Sequence, residues 1–98
     1  MTLISPLAAP AVSFPLDELP THQWATVLDL QRPSVVEDHE LVLRLTEIGF
    51  VPGEAVRIVA AGAPGRDPIA VRLGHTTFAL RRHEASFIRV TLGANNHG

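Results

Sequence analysis

The chain of 98 residues contains no cysteine, no lysine and no tyrosine, and it has a single tryptophan. The lack of cysteine excludes a disulfide framework, a thiol nucleophile and a cysteine-ligated zinc site. Its eight basic residues, all arginine, are outnumbered by ten carboxylates, and the formal net charge is -2. Nucleic-acid binding usually needs a basic excess concentrated on one face. We therefore expect no nucleic-acid partner.

Long apolar runs are also missing, because no stretch approaches the roughly 20 apolar residues of a membrane-spanning helix. Residues 1–15 are apolar, but they lack a basic residue and are interrupted by Pro6, Pro10 and Pro15. Such prolines would break the helix that a signal peptide needs. The sequence therefore predicts a soluble protein with a flexible N-terminal arm (1–15), one folded domain (16–92) and a flexible tail (93–98).

The best-defined local pattern is a helix in the middle of the chain. Apolar residues recur at i, i+4 and i+7 and predict one buried stripe: Leu41, Leu45 and Ile48. Ser34 stands three residues before Glu37, which is the spacing of a capping box at a helix start. Gly49 is the kind of residue that ends a helix in the left-handed conformation, and Phe50 can then fold back onto the last turn.

Short segments on both sides of this helix have the composition and alternation of β-strands. The predicted strands are 24–30, 55–60, 69–73, 76–80 and 87–92, with short helical turns at 16–19 and 81–86. Pro52-Gly53 suits a type II turn and Gly74-His75 suits a two-residue hairpin. About five short strands joined by tight turns predict a mostly β protein that forms a small closed or nearly closed barrel.

Four blocks of the sequence resemble one known family in order and spacing. They are Leu45-x-Glu47-Ile48-Gly49-Phe50-Val51-Pro52-Gly53, Ala63-Pro64-Gly65-x-Asp67-Pro68-Ile69, Ala79-Leu80-Arg81-Arg82-x-Glu84-Ala85 and Ile88-x-Val90. Together they are similar to the ferrous iron transport protein A (FeoA) family, over roughly Leu16 to Leu92. The chain departs from that family near His22, where a glycine is frequent, and in the arm before Leu16.

The resemblance implies an SH3-like β-barrel with one or two short helices added. It also implies a small cytoplasmic, non-enzymatic adaptor or regulator of bacterial Fe(II) uptake, which contacts the cytoplasmic GTP-binding region of the FeoB membrane transporter. Such a protein would be peripheral to the membrane only through this partner, and a homodimer is left open.

Two alternatives to this function stay open. One is a metal-responsive regulatory module, related to the SH3-like domain of regulators of the diphtheria-toxin-repressor type. The other is a generic SH3-type peptide-binding module, which needs an aromatic-lined groove. A chain with no tyrosine and only four phenylalanines supplies that groove poorly.

The histidines invite a metal hypothesis, although the resemblance requires no cofactor. Candidate ligands for a weakly bound divalent metal, Fe2+ or Zn2+, are His22, Asp38, His39 and His83. Metal ligands on a helix usually recur at i and i+4, and His39 has only apolar neighbours at those spacings. Folding alone could bring these four residues together, so we expect most histidines to be structural or solvent-facing.

No catalytic pattern is present, since Ser86 lies too close in sequence to His83 and Glu84 to form a nucleophile–base–orienter line. Candidate partner-binding residues are apolar (Phe50, Val51 and Pro52) or basic (Arg66, Arg81 and Arg82). The apolar residues either cap the barrel or form an exposed patch for a protein contact. The arginines either pair with Glu84 and Asp67 or meet an acidic patch on a partner.

Overall fold

The computed structural model describes residues 12–62 and 65–93. They form the following elements in chain order: β1 (Ser13–Pro15), a 3-10 turn (Leu16–Glu18), β2 (Trp24–Leu30), α1 (Val36–Ile48), β3 (Ala55–Ala61), β4 (Ile69–Leu73), β5 (Thr76–Leu80), α2 (Arg82–Ala85) and β6 (Ile88–Leu92). Neither of these two helices is long and apolar enough to cross a membrane. The predictions for residues 1–11 of the arm and 94–98 of the tail lie outside the described residues.

All six strands belong to one antiparallel sheet in the order β1-β6-β2-β3-β4-β5. In this order β5 and β6 are four positions apart and point the same way, a separation of about 19 Å in a flat sheet. Because β5 and β6 run in the same direction, the connection between them, residues 81–87, would also have to run back along the full length of a strand. Four of its residues are in α2, where each advances only about 1.5 Å. The sheet must therefore roll up.

Two irregularities support this rolling. The β2–β6 register shifts between Val27 and Asp29, and the β3–β4 register shifts between Ile58 and Ala60. An extra residue in one strand of an antiparallel pair bends that strand and increases its twist. The prediction of a small, nearly closed β-barrel with two short helices is confirmed. Between β1 and β5 the described residues show no pairing, so the ladder stays open there.

The barrel encloses one apolar core, to which every strand except β1 contributes a buried side chain. Buried residues alternate with less buried ones along β3, β4 and β6, as the predicted strand alternation requires. The buried residues are Leu16, Leu19, Ala25, Val27, Leu45, Phe50, Val56, Ile58, Ile69, Val71, Leu73, Leu80, Ala85, Ile88 and Val90. Within the described ranges no polar or charged residue is buried as a whole, although the single atoms Asp17 Oδ1 and Arg57 Nε are buried without a hydrogen-bond partner.

The helix α1 packs on this core through the predicted stripe, in which Leu45 is buried and Leu41 and Ile48 are partly buried. The predicted capping box is wrong. The helix starts at Val36 with Val35 as the N-cap, and no side chain bonds to its first amides. Ser34 therefore lies one residue outside the capping position, from which its hydroxyl cannot replace the bond that a capping box makes.

The folded part also begins before residue 16, which corrects the predicted boundary of the arm. Ser13–Pro15 pair with β6, and Phe14 packs against the core. Proline lacks an amide donor, but the edge of a sheet tolerates it, so Pro15 did not exclude a strand. At the other terminus the Gly93 amide donates to the Trp24 carbonyl at 2.9 Å, which ties the first residue of the predicted tail to β2.

The turn before β2 explains the departure from the family pattern near His22. His22 has a φ of +74°, and its amide donates to the Ile58 carbonyl at 2.7 Å. This left-handed conformation costs a residue with a side chain roughly 1–2 kcal/mol and costs glycine almost nothing. A glycine is thus the less strained residue here.

We expect His22→Gly to raise the free energy of unfolding by up to about 1 kcal/mol, because relief of the left-handed strain exceeds the greater unfolded-state entropy of glycine. Urea denaturation followed by circular dichroism measures this. The matched control is Gln23→Gly, at an exposed neighbour with an ordinary φ, which should lower the same quantity by about 0.5–1 kcal/mol. Two changes of the same sign would contradict the explanation.

Candidate functional site

The apolar segment that follows α1 divides into buried and exposed residues. Phe50 is 0% exposed, and its ring centroid lies 6.0 Å from that of Phe78. Of the two alternatives for Phe50, burial fits the one in which it caps the barrel and not the exposed patch, because the chain turns at Gly49 and carries the ring into the core. Val51 is half-buried and Pro52 is exposed, so these two residues remain available to a partner.

A surface cleft of about 290 Å³ lies beside this segment. It is bounded by the end of α1, the turn at residues 51–54 and the β4–β5 hairpin. Its walls include the apolar side chains of Ile48, Val51, Leu73 and Phe78, and Glu54 is the one ionisable residue among those that line it. Of these residues, the sequence indicated only Val51 as a partner-binding candidate. The others come from three separate segments, and no local pattern joins them.

Arg82, a predicted partner-binding residue, is hydrogen-bonded to other parts of the same fold. Its guanidinium donates to the carbonyl of Asp17 and, at 3.4 Å, to that of Arg66, while its amide donates to Asp67 Oδ1 at 2.8 Å. Arg82 therefore links α2 to the 3-10 turn and to the loop before β4. Its role is structural.

The other two arginines are exposed. The Arg81 amide donates to Glu84 Oε1 at 2.8 Å, and Arg66 lies in the loop with a φ of +63°. The predicted pairing of the arginine side chains with Glu84 and Asp67 is not seen in the described residues, because the two carboxylates accept instead from the backbone amides of Arg81 and Arg82 at the start of α2. Acidic groups at a helix N-terminus are favourable. The Arg66 and Arg81 side chains stay at the surface.

Folding brings together two of the four predicted metal ligands. Asp38 Oδ1 and His83 Nε2 are 3.2 Å apart and join α1 to α2, while the His83 ring also contacts Phe87 edge-on at 5.2 Å between centroids. His39 Nε2 lies 3.3 Å from the Pro33 carbonyl oxygen instead. Across residues 12–62 and 65–93, no three His, Asp or Glu side chains are grouped for a metal. A structural zinc site normally has four ligands.

The neighbourhood of Ser86 does not form a nucleophile–base pair. The Ser86 hydroxyl donates to the main-chain carbonyl of His83 at 2.6 Å, not to its ring. One face of the single tryptophan is covered within the chain, because the Arg57 guanidinium carbon lies 5.2 Å from the Trp24 ring centroid. Among the sequence candidates and their surroundings, the described surface thus offers the apolar cleft beside Val51, the exposed side chains of Arg66 and Arg81, and the Asp38–His83 pair.

Fold and surface together define a small, nearly closed β-barrel domain of six antiparallel strands. Residues 14–92 match the family model of the FeoA domain, and the chain belongs to the FeoA domain family. It is 33% identical over 81 residues to a fusion protein of Fe(2+) transport protein A and Fe(2+) transporter FeoB from Porphyromonas gingivalis (strain ATCC BAA-308 / W83). The match covers 83% of this chain but only 9% of that protein.

Solved structures support the same family and fold. The FeoA of Stenotrophomonas maltophilia, a prokaryotic SH3 domain protein solved in complex with zinc, has a TM-score of 0.71 and 39% identity, and covers 84% of this chain and 98% of its own. This confirms the SH3-like barrel. A manganese-dependent transcriptional repressor with bound manganese has a TM-score of 0.72 at 16% identity, over 87% of this chain and 39% of its own. At that identity the likeness shows the fold alone.

We expect Arg82→Ala to lower the free energy of unfolding by about 1.5–3 kcal/mol, because it leaves carbonyls at a partly buried junction without a charged donor. Chemical denaturation at constant m-value measures this. Arg81→Ala is the matched control at an exposed side chain and should change stability by no more than about 0.5 kcal/mol. Equal losses for both variants would contradict the structural role of Arg82.

We expect calorimetric titration of the full chain with Fe(II) under anaerobic conditions, or with Zn(II), to show no site tighter than about micromolar, because two convergent ligands are too few for tight binding. Asp38→Asn or His83→Gln should remove any weak binding, and His39→Gln should leave it unchanged. A stoichiometric nanomolar site would contradict this expectation.

Proposed function

We propose that this chain is a non-catalytic accessory domain of bacterial ferrous iron uptake, which acts in the cytoplasm by contacting the GTP-binding region of a FeoB-type transporter. The observation that carries the proposal is the Porphyromonas gingivalis relative, whose name records Fe(2+) transport protein A and the FeoB transporter in one polypeptide. Covalent linkage holds two parts at a high effective concentration. Their union in one chain is expected where the two parts work in contact.

The surface of this chain suits a protein contact. Arg66 and Arg81 are exposed, and guanidinium groups bind carboxylates in a fixed two-pronged geometry. Val51 and Pro52 add apolar surface beside the cleft. We assign the contact to these four of the six residues that the sequence indicated, since Phe50 lies in the core and Arg82 is held by its own fold.

Metal binding has a secondary place in this proposal. The Stenotrophomonas maltophilia FeoA was solved in complex with zinc, and the Asp38–His83 pair is where we place weak divalent-metal binding in this chain. Two ligands suit a transient surface ion rather than a required cofactor.

Neither alternative function gains support from a specific observation. A regulatory role like that of the repressors rests on fold similarity alone, and a shared fold does not establish a function. A polyproline-binding role needs open aromatic faces, whereas the Arg57 guanidinium lies over Trp24 and the Phe50 ring is in the core.

We expect deletion of the coding sequence for this chain to lower the initial rate of radiolabelled Fe(II) uptake while the transporter stays in the membrane at its usual amount, because the accessory domain acts on transport and not on insertion. Uptake assays and membrane immunoblots measure the two quantities. Reintroducing the wild-type chain should restore uptake.

The sharper control is a pair of complementing variants. Double charge reversal, Arg66→Glu with Arg81→Glu, should restore uptake poorly because it replaces the proposed contact charges, whereas Arg44→Glu, an equally exposed arginine on α1, should restore it fully. Unchanged uptake in the deletion strain would refute the proposed function.

A further inference from the structure

The sheet has one edge that is open and unprotected. β5 is bonded to β4 on one side, and within residues 12–62 and 65–93 no strand pairs with its other side. An unpaired strand edge is a template for pairing with another chain, and proteins usually block it with charge, proline or a bulge. The sequence of β5, Thr-Thr-Phe-Ala-Leu, contains none of these.

The opposite edge of the sheet is protected. β1 has only three residues and ends in Pro15, which cannot donate a backbone hydrogen bond. A second strand could make few bonds there. The two edges thus differ in their capacity for strand addition, and β5 is the competent one.

The hairpin register shows which β5 groups point outward. Leu73 pairs with Thr76 across the two-residue loop, and Val71 pairs with Phe78. Residues beside such a loop exchange hydrogen bonds, and bonded and non-bonded pairs then alternate along the ladder. The amides of Thr76, Phe78 and Leu80 therefore donate hydrogen bonds to β4, while those of Thr77 and Ala79 point toward the open edge.

The apolar cleft lies along this same edge. Thr76 and Phe78 both line it, and because side chains alternate across a strand they share one face of β5. A strand added beside β5 would lie about 4.8 Å away, and its side chains on that face would point into the cleft. Backbone bonds along an edge supply affinity in strand addition, and pockets for alternate side chains supply specificity.

We propose that β5 and the adjoining cleft bind an extended segment of the FeoB-type transporter as an additional strand of the sheet. This inference rests on the proposed function and adds β5 and the cleft to the contact residues Val51, Pro52, Arg66 and Arg81. The cleft walls of Ile48, Val51, Leu73 and Phe78 accept an aliphatic side chain of the segment. Glu54, the ionisable residue of the lining, pairs with a Lys or Arg next to it, so the segment is apolar and basic.

Hydrogen exchange of individual amides tests this strand addition directly. The wild-type chain is mixed with the full-length transporter from the same genome in lipid nanodiscs, with and without GTP, and exchange is resolved residue by residue by mass spectrometry. We expect the Thr77 and Ala79 amides to exchange at least about tenfold more slowly in the complex. The Phe78 amide, already bonded to β4, should change little.

Two variants test the same surface by affinity. Ala79→Pro removes one outward amide without removing a bond to β4, and should weaken binding at least about tenfold. Glu54→Lys should weaken it roughly fivefold by repelling the basic residue, whereas Glu47→Lys, the same charge change at an exposed site outside the cleft, should not. If Ala79→Pro does not fold, as judged by circular dichroism, the exchange pattern and the Glu54 variant decide.

The outcomes separate this inference from the proposed function. Binding without protection of Thr77 and Ala79, or with protection confined to α1 around its exposed apolar residues Val36 and Leu43, would overturn the strand addition and leave the contact with the transporter standing. Alternating protection in the isolated chain at high concentration would assign the edge to a second copy and overturn the transporter segment as occupant. No binding in either nucleotide state would overturn both.

Discussion

The turn from Gly49 to Glu54 is the constraint on which the architecture depends. Gly49 takes a φ of +127°, the Phe50 amide then bonds to the Leu45 carbonyl at 3.1 Å, and the Phe50 ring enters the core. Replacing a buried phenylalanine by alanine typically costs about 3–5 kcal/mol. Two bonds, from the Gly53 amide to Val27 and from the Val27 amide to Glu54 (2.8 and 2.9 Å), then attach the turn to β2. Helix, turn and sheet are thereby held together at one corner.

The candidate contact surface follows from that corner. The same turn that buries Phe50 leaves Val51 and Glu54 on the wall of the cleft, and the β4–β5 hairpin supplies the other wall. Within residues 12–62 and 65–93 no strand pairs with the outer side of β5, so its edge stays open.

Local structure was largely predictable from the residues. The helix stripe, the glycine stop and the inward positions of β3, β4 and β6 each follow from spacing within one segment, where periodicity is a direct signal. The capping box failed because Ser34 falls one residue outside the helix, a boundary that spacing alone does not define. β1 was missed because three residues ending in proline carry almost no strand signal, and their pairing with β6 comes from across the chain.

Composition and short blocks of residues were therefore enough to establish the class of fold, the family and the absence of cysteine chemistry. The folded chain was needed to show that Phe50 lies in the core, that Arg82 is a structural link, that Asp38 contacts His83, and that Val51 and Glu54 share a cleft with Phe78. Each of these facts joins segments that are distant in sequence, and the burial or pairing of such side chains is set by how the sheet rolls.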